Sequence, residues 1–187
     1  MPAFAQEPTR QRIEQADASQ WLSHGRTYSE QRFSPLNKIN RENVSRLGLN
    51  WFEATGNSRG MEATPLIVDG VMYVSTAWSR VLAFDAVTGK PLWRFDPMVP
   101  GEAGRDACCD VVNRGVALWG DKVFIGTIDG RLIGINRHTG EQVWSKQTTD
   151  LAKPYTITGA PRVVRGKVII GNGGAEYGVR GYFGAYD

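Results

Sequence analysis

A single interval recurs in this chain and restricts what it can fold into. Asp85 and Asn136, Gly89 and Gly140, and Trp93 and Trp144 are each 51 residues apart. Each pair belongs to a matched segment. The first reads Val71-Met-Tyr-Val-Ser-Thr, then Val81-Leu-Ala-Phe-Asp85, Thr88-Gly89-Lys90 and Trp93. The second reads Lys122-Val-Phe-Ile-Gly-Thr, then Leu132-Ile-Gly-Ile-Asn136, Thr139-Gly140-Glu141 and Trp144. Ile135-Asn136 returns 51 residues later as Tyr186-Asp187, so a third copy runs up to the last residue.

Within a copy, the β-branched and aromatic runs Val71 to Ser75 and Val123 to Gly126 read as short strands. Asp129-Gly130 is a tight-hairpin signal. Leu132 to Ile135 is the next strand, and Thr139-Gly140 turns the chain into a last strand carrying Trp144. Four short strands in about 40–50 residues make a propeller blade. The Trp at a fixed phase is expected to pack against the neighbouring blade. The predicted fold class is therefore all-β, a β-propeller, with about the first three blades present. Roughly three blades do not close a ring, since propellers have about four to eight. An open array exposes an apolar blade face at its end. The expectation is a piece of a longer protein, with domain swapping or self-association as the alternative to closure.

The region before residue 60 lacks the period. Asn40 precedes a short helical turn through Leu47, and Leu49 to Ala54 reads as a strand that completes a last blade, with its partners expected in the missing C-terminal part. Ala3-x-Ala5 fits the end of a secretory signal peptide, and a plain N-terminal tail fits equally well. The division is residues 1–20 as signal-peptide remnant and tail, and 21–187 as propeller. Net charge is +3 with no run of four Lys or Arg, which argues against a nucleic-acid-binding face. No stretch approaches the ~18 apolar residues of a transmembrane segment.

Three groups of residues carry chemistry. Cys108 and Cys109 are adjacent, with Cα atoms about 3.8 Å apart, shorter than usual for a disulfide. Two free thiols and a strained adjacent disulfide both remain open, the second favoured by an oxidising compartment. Only these two thiols and the distant His24 and His138 are available, which argues against zinc. Gly171 to Gly178 lengthens the third copy: Lys167 to Asp187 spans 20 steps, where Lys122 to Asn136 spans 14. Glycines there let backbone approach a flat ligand, and Glu176 offers a hard oxygen suited to Ca²⁺. The spacing is not that of a dinucleotide motif, and an ordinary loop reads the same segment. Glu62 and Thr158 stand shortly before a blade's opening strand, and Arg114 begins the second blade. Equivalent positions of different blades converge on a propeller's axis, although each residue taken singly is an ordinary turn residue.

With these features, residues from Trp21 onward resemble the PQQ-dependent (quinoprotein) alcohol dehydrogenases. The resemblance rests on Ala107-Cys108-Cys109-Asp110-Val-Val-Asn113-Arg114-Gly115 and on Gly171-Asn-Gly-Gly-Ala-Glu176-Tyr. It also rests on the repeated Asp/Asn-x-x-Thr-Gly-x-x-x-Trp and on Trp21…Gly25…Tyr28…Arg32-Phe-Ser-Pro-Leu36. It implies an eight-bladed propeller with pyrroloquinoline quinone (PQQ) flat near the axis. A Cys108–Cys109 disulfide would cover one face of the quinone. Glu62, Arg114 and Thr158 would bind its polar edge, with the backbone of Gly174 and Ala175. Glu176 would be a ligand of Ca²⁺ or a lanthanide acting as a Lewis acid.

The implied reaction is alcohol to aldehyde by hydride transfer to PQQ, with electrons passed to a cytochrome c or similar acceptor in the periplasm. The family's base Asp and metal-ligand Asn have no match in these 187 residues, so no catalytic residue is expected here and the segment alone is expected to be inactive. The forms Gly-Asn-Gly-Gly-Ala-Glu-Tyr and Val-Val-Asn-Arg-Gly-Val-Ala are nearer the quinohaemoprotein subgroup, which carries a haem c domain. No Cys-x-x-Cys-His occurs in this sequence. Two other readings fit the repeats alone: a non-catalytic scaffold of the outer-membrane assembly-factor type, and a PQQ sugar dehydrogenase.

Overall fold

Strand register explains the architecture. In the computed structural model, which describes residues 8–15 and 17–187, three antiparallel sheets follow one another along the chain. The first is β1 (Leu66–Val68), β2 (Val71–Ser75), β3 (Val81–Asp85) and β4 (Pro91–Phe95). The second is β5 (Ala117–Trp119), β6 (Lys122–Gly126), β7 (Arg131–Asn136) and β8 (Gln142–Gln147), in that order. The third comprises β9 (Arg162–Val164), β10 (Lys167–Gly171) and β11 (Phe183–Tyr186). Each is an up-and-down meander, so the three sheets are successive blades of a partial propeller.

Successive side chains of a strand point to opposite faces. In β6, Val123 and Ile125 join Tyr73, Val81 and Ala83 of the first blade in one buried cluster. Phe124, between them, joins Val163, Val168 and Ile170 of the third blade in another. The middle blade is thus apolar on both faces, as its nearly unbroken hydrophobic strands require. Each such side chain, taken out of water, contributes about 1.5–3 kcal/mol.

The repeated turn and tryptophan latch the blades together. Asp85 Oδ1 accepts from the Val87 and Thr88 amides at 3.0 and 2.7 Å. Asn136 Oδ1 accepts from the His138 and Thr139 amides at 2.9 and 3.1 Å in the second copy. Trp93 reaches from the first blade onto the second blade's turn, and its indole N–H donates to the Arg137 carbonyl at 2.9 Å. Its ring lies 2.7 Å from where a Cβ on Gly140 would stand. Gly140 has φ +77°, so both its backbone and the ring above it call for glycine. Trp51 does the same one step earlier, donating to Ala86 O at 3.3 Å above Gly89. The expected packing of tryptophan on the neighbouring blade is present.

Residues 49–54, expected to pair with strands in a later part of the protein, carry no ladder among the described residues. They are held instead by Trp51, by Asn50 donating to Val87 O at 3.0 Å, and by the Glu53–Arg94 ion pair. The helical turn after Asn40 is a 3-10 turn at Val44–Arg46.

Ahead of the blades, α1 (Arg10–Gln15) buries Ile13 in the cluster shared by the first two blades. Arg12 pairs with Asp69 at 2.7 Å, and Trp21 exchanges backbone bonds with Ile67 of β1 at 2.8 and 2.9 Å. Ala3-x-Ala5 lies outside the described residues. No helix among the described residues is long and apolar enough to cross a membrane.

Candidate cofactor site

The segments leading into the opening strands of the three blades meet side by side. The Thr64 amide donates to the Arg114 carbonyl at 3.3 Å, and the Arg114 amide to the Thr158 carbonyl at 2.9 Å. This stitching brings together three side chains that are distant in sequence. Arg114 Nη2 lies 2.9 Å from Glu62 Oε2, and Arg114 Nη1 lies 2.5 Å from Thr158 Oγ1. The guanidinium is fixed from two sides and still has N–H donors to spare out of five. Glu62 and Arg114 are each about two-fifths exposed, so the pair faces open space rather than a sealed core.

Arg114 and Thr158 line a cavity of about 590 Å³ whose wall also includes Glu30, Ala160, Arg162 and Gly173, while Glu62 stands outside that wall and reaches the cavity only through Arg114. A wide cavity with a clamped guanidinium and adjacent backbone suits a flat anion, since planar N–H forks bind carboxylates well. PQQ, a planar polyanion, has that chemistry, and these residues fit its polar rim.

The loop before Arg114 is built to hold it. Asn113 is buried; its Nδ2 donates to Gly126 O at 2.9 Å and its Oδ1 accepts from the Gly115 amide at 3.1 Å. Cys108 and Cys109 are bonded to each other and both are exposed. Of the two readings open for the thiols, the adjacent disulfide is the one present. Next to it, Asp110 pairs with Arg59 at 3.0 Å.

The glycine-rich loop is also tied down. The Gly173 amide donates to Thr156 O at 2.7 Å. Gly174 has φ +112°, and a Cβ there would stand 2.4 Å from Pro154 O, so only glycine fits. Ala175, Glu176 and Tyr177 then form an exposed 3-10 turn. Cys108, Cys109, Gly174, Ala175 and Glu176 lie outside the wall of the Arg114 cavity. No group of three or more His, Cys, Asp or Glu among the described residues is placed to hold a metal ion. Glu176 therefore stands as a single carboxylate, of one or two oxygens, where Ca²⁺ takes about six to eight.

Two residues of this cavity have no counterpart in the repeat. Glu30, from the segment before the blades, pairs with Arg162 of β9 at 2.6 Å. The Arg162 hydrogen bond holds the Glu30 carboxyl below its ordinary value. They are 132 residues apart, and only the fold brings them together.

The family model for the PQQ glucose/ethanol/alcohol dehydrogenase β-propeller domain matches residues 21–187. The chain belongs to this family. Among its PQQ-dehydrogenase relatives is quinohemoprotein alcohol dehydrogenase ADH IIB of Pseudomonas putida, 67% identical over 90% of this chain and 24% of that protein. A 1-butanol dehydrogenase (cytochrome c) of Thauera butanivorans is 57% identical over 92% of this chain and 25% of its own length. The solved quinohemoprotein alcohol dehydrogenase ADHIIG of P. putida HK5 superposes with a TM-score of 0.96 at 51% identity, covering 99% of this chain and 28% of that one. A europium-containing methanol dehydrogenase superposes at 0.89 with 43% identity, over 94% of this chain and 31% of that one. The chain thus spans about a quarter of the length of the curated relatives it matches.

Proposed function

We propose that the full-length protein oxidises alcohols to aldehydes with PQQ, in the periplasm, and passes the electrons to a cytochrome c or to a haem c domain of its own. The observation that carries this is the Arg114 guanidinium, clamped by Glu62 and Thr158 in the wall of a cavity wide enough for a flat anion. The kinship with alcohol dehydrogenases named for a quinone, a haem and cytochrome c supports the substrate class and the acceptor.

When bound, the quinone is the hydride acceptor. Everything else falls to the chain. Arg114 gives charge-assisted hydrogen bonds to the anionic rim. Glu62 and Thr158 hold the guanidinium in its plane, so little freedom is lost when the ligand arrives. The disulfide of Cys108 and Cys109 would offer an apolar surface to one ring face of the quinone. The backbone at Gly174 and Ala175 would hold the quinone edge. Glu176 contributes one ligand to a Ca²⁺ or lanthanide ion whose other donors lie outside these residues. The kinship with a europium enzyme supports keeping a lanthanide beside calcium.

The test is reconstitution of the full-length protein with PQQ and Ca²⁺, followed by alcohol-dependent reduction of cytochrome c. Arg114→Met is expected to weaken PQQ binding, read by absorbance titration, by the about 1.5–3 kcal/mol of a hydrogen bond to a charged group. A full-length protein that binds no PQQ and oxidises no alcohol would falsify the proposal. The 187-residue chain alone is expected neither to turn over nor to bind PQQ stoichiometrically.

A further inference from the structure

One hairpin turn departs from the repeat. The β2–β3 and β6–β7 loops stand 51 residues apart and close in the same way. The Thr76 amide donates to the Arg80 carbonyl and the Thr127 amide to the Arg131 carbonyl, both at 2.9 Å. Within the second loop only Gly130 is left-handed, at φ +81°, and its amide bonds back to Thr127 O at 2.9 Å. Where the second loop has Asp129 and Gly130, the first has Trp78 and Ser79, and both are left-handed, at φ +63° and +56°. Positive φ strains any residue with a side chain, a bulky one most. The second blade makes its hairpin with one glycine, so closing the hairpin does not require this strain. Such strain persists where surrounding contacts impose it, and it gathers at functional sites.

The contacts that impose it come chiefly from residues 103–113. The Trp78 amide, instead of bonding within the turn, donates to the Val111 carbonyl at 2.8 Å. The Trp78 ring lies 3.0 Å from where a Cβ on Gly104 would stand, and it shares an apolar cluster with Ala103, Ala107 and Val111. Ser79 is fully buried, and its Oγ accepts from Asn113 Nδ2 at 3.4 Å and from the Ile128 amide at 3.3 Å. These anchors flank the cofactor groups closely. Ala107 directly precedes Cys108, Val111 follows Cys109 by two residues, and Asn113 directly precedes Arg114. One turn therefore carries both sides of the segment that presents the disulfide and the guanidinium.

We infer that Trp78 and Ser79 are positioning residues for the cofactor, whose strained turn sets where the Cys108–Cys109 disulfide and the Arg114 guanidinium stand relative to each other. This rests on the reading given under Proposed function, in which those two groups meet PQQ at a ring face and at its rim. Groups fixed before a ligand arrives lose less freedom on binding than groups the ligand must order. An Asp-Gly turn like that of the second blade would bond to itself and leave residues 107–113 without this floor.

The test compares three variants of the full-length protein. Trp78→Ala removes the ring and keeps a left-handed side chain, and Trp78→Phe keeps an aromatic ring. Gly70→Ala puts strain into another turn of the same blade, where a Cβ meets nothing within 4 Å. Without cofactor, amide hydrogen exchange at residues 107–113 should quicken in Trp78→Ala and stay at the parent rate in Gly70→Ala. In absorbance titration of the apoprotein with PQQ and Ca²⁺, Trp78→Ala should raise the Kd about tenfold, the scale of ordering one or two side chains on binding. Trp78→Phe should recover most of that loss, and Gly70→Ala should bind as the parent does. On a Cys108→Ala/Cys109→Ala background, Trp78→Ala should weaken binding clearly less than tenfold, because the ring then has no disulfide to place. A parent Kd in Trp78→Ala, an equal loss in Gly70→Ala, or full additivity with the cysteine changes would overturn the inference while leaving the proposed function standing. A parent protein that binds no PQQ would sink the proposed function and this role with it.

Discussion

Gly140 shows what one residue contributes to blade-on-blade packing. Two demands fall on it: a left-handed backbone and a tryptophan ring pressed against its Cα. Gly70 shares only the first, with φ +78° and open space where a Cβ would stand. The two glycines therefore separate the effects. Gly70→Ala should cost about 1–2 kcal/mol, the left-handed penalty of an L-residue. Gly140→Ala should cost about 1–3 kcal/mol more, because Trp93 must move. Thermal unfolding of the two variants measures the difference, and equal losses would show that Trp93 does not depend on Gly140. Gly140 was legible in the sequence because it recurs with Gly89 at a fixed phase before a recurring tryptophan. Asn113 was not, although it lies inside a motif. Its importance comes from burial and from bonds to Gly126 and Gly115, which nothing local predicts.

Among the elements, the segment before the blades has no repeat to be read from. Its expected strand at 49–54 was assigned partners in a later part of the protein, and none of the described strands runs beside it. The same segment carries Glu30, whose ion pair with Arg162 closes 132 positions and follows no repeat. Sequence periodicity finds contacts between equivalent positions and misses contacts between unlike ones. The pair makes a testable contribution. Glu30 has its carboxyl held below its ordinary value, so the pair's stabilisation is complete above the ordinary Glu range and is lost as pH falls through the lowered value. Both side chains are more than a third exposed, so screening limits the effect to below about 1 kcal/mol. Between pH 6 and pH 3, Glu30→Gln should lose slightly less thermal stability than the parent. An identical pH slope in both proteins would remove Glu30 from the acid response.

At the scale of the whole molecule, the period of 51 residues made the partial propeller legible, and the paired cysteines and the glycine-rich loop made the family legible. The grouping of Glu62, Arg114 and Thr158 was legible as a shared phase, which the blade-to-blade backbone bonds turn into contact. The cavity lined by Arg114 and Thr158 was not legible, since cavities arise from packing between segments and leave no motif. The molecule also leaves Phe33, Leu36, Leu49, Phe52 and Phe183 well exposed. Exposed apolar side chains that adjoin one another drive association. The 187-residue chain expressed alone should therefore sediment as self-associated species at micromolar concentration, and a clean monomer there would count against open blade edges.

The tryptophan latch also has a direction in time. Trp93 is synthesised before the turn it covers, and Gly140 follows it by 47 residues. At roughly 5–20 residues per second, a ribosome takes some seconds to deliver that turn. Throughout that pause the indole has no seat, and the nascent blade presents its stickiest ring to whatever chaperone waits at the tunnel exit.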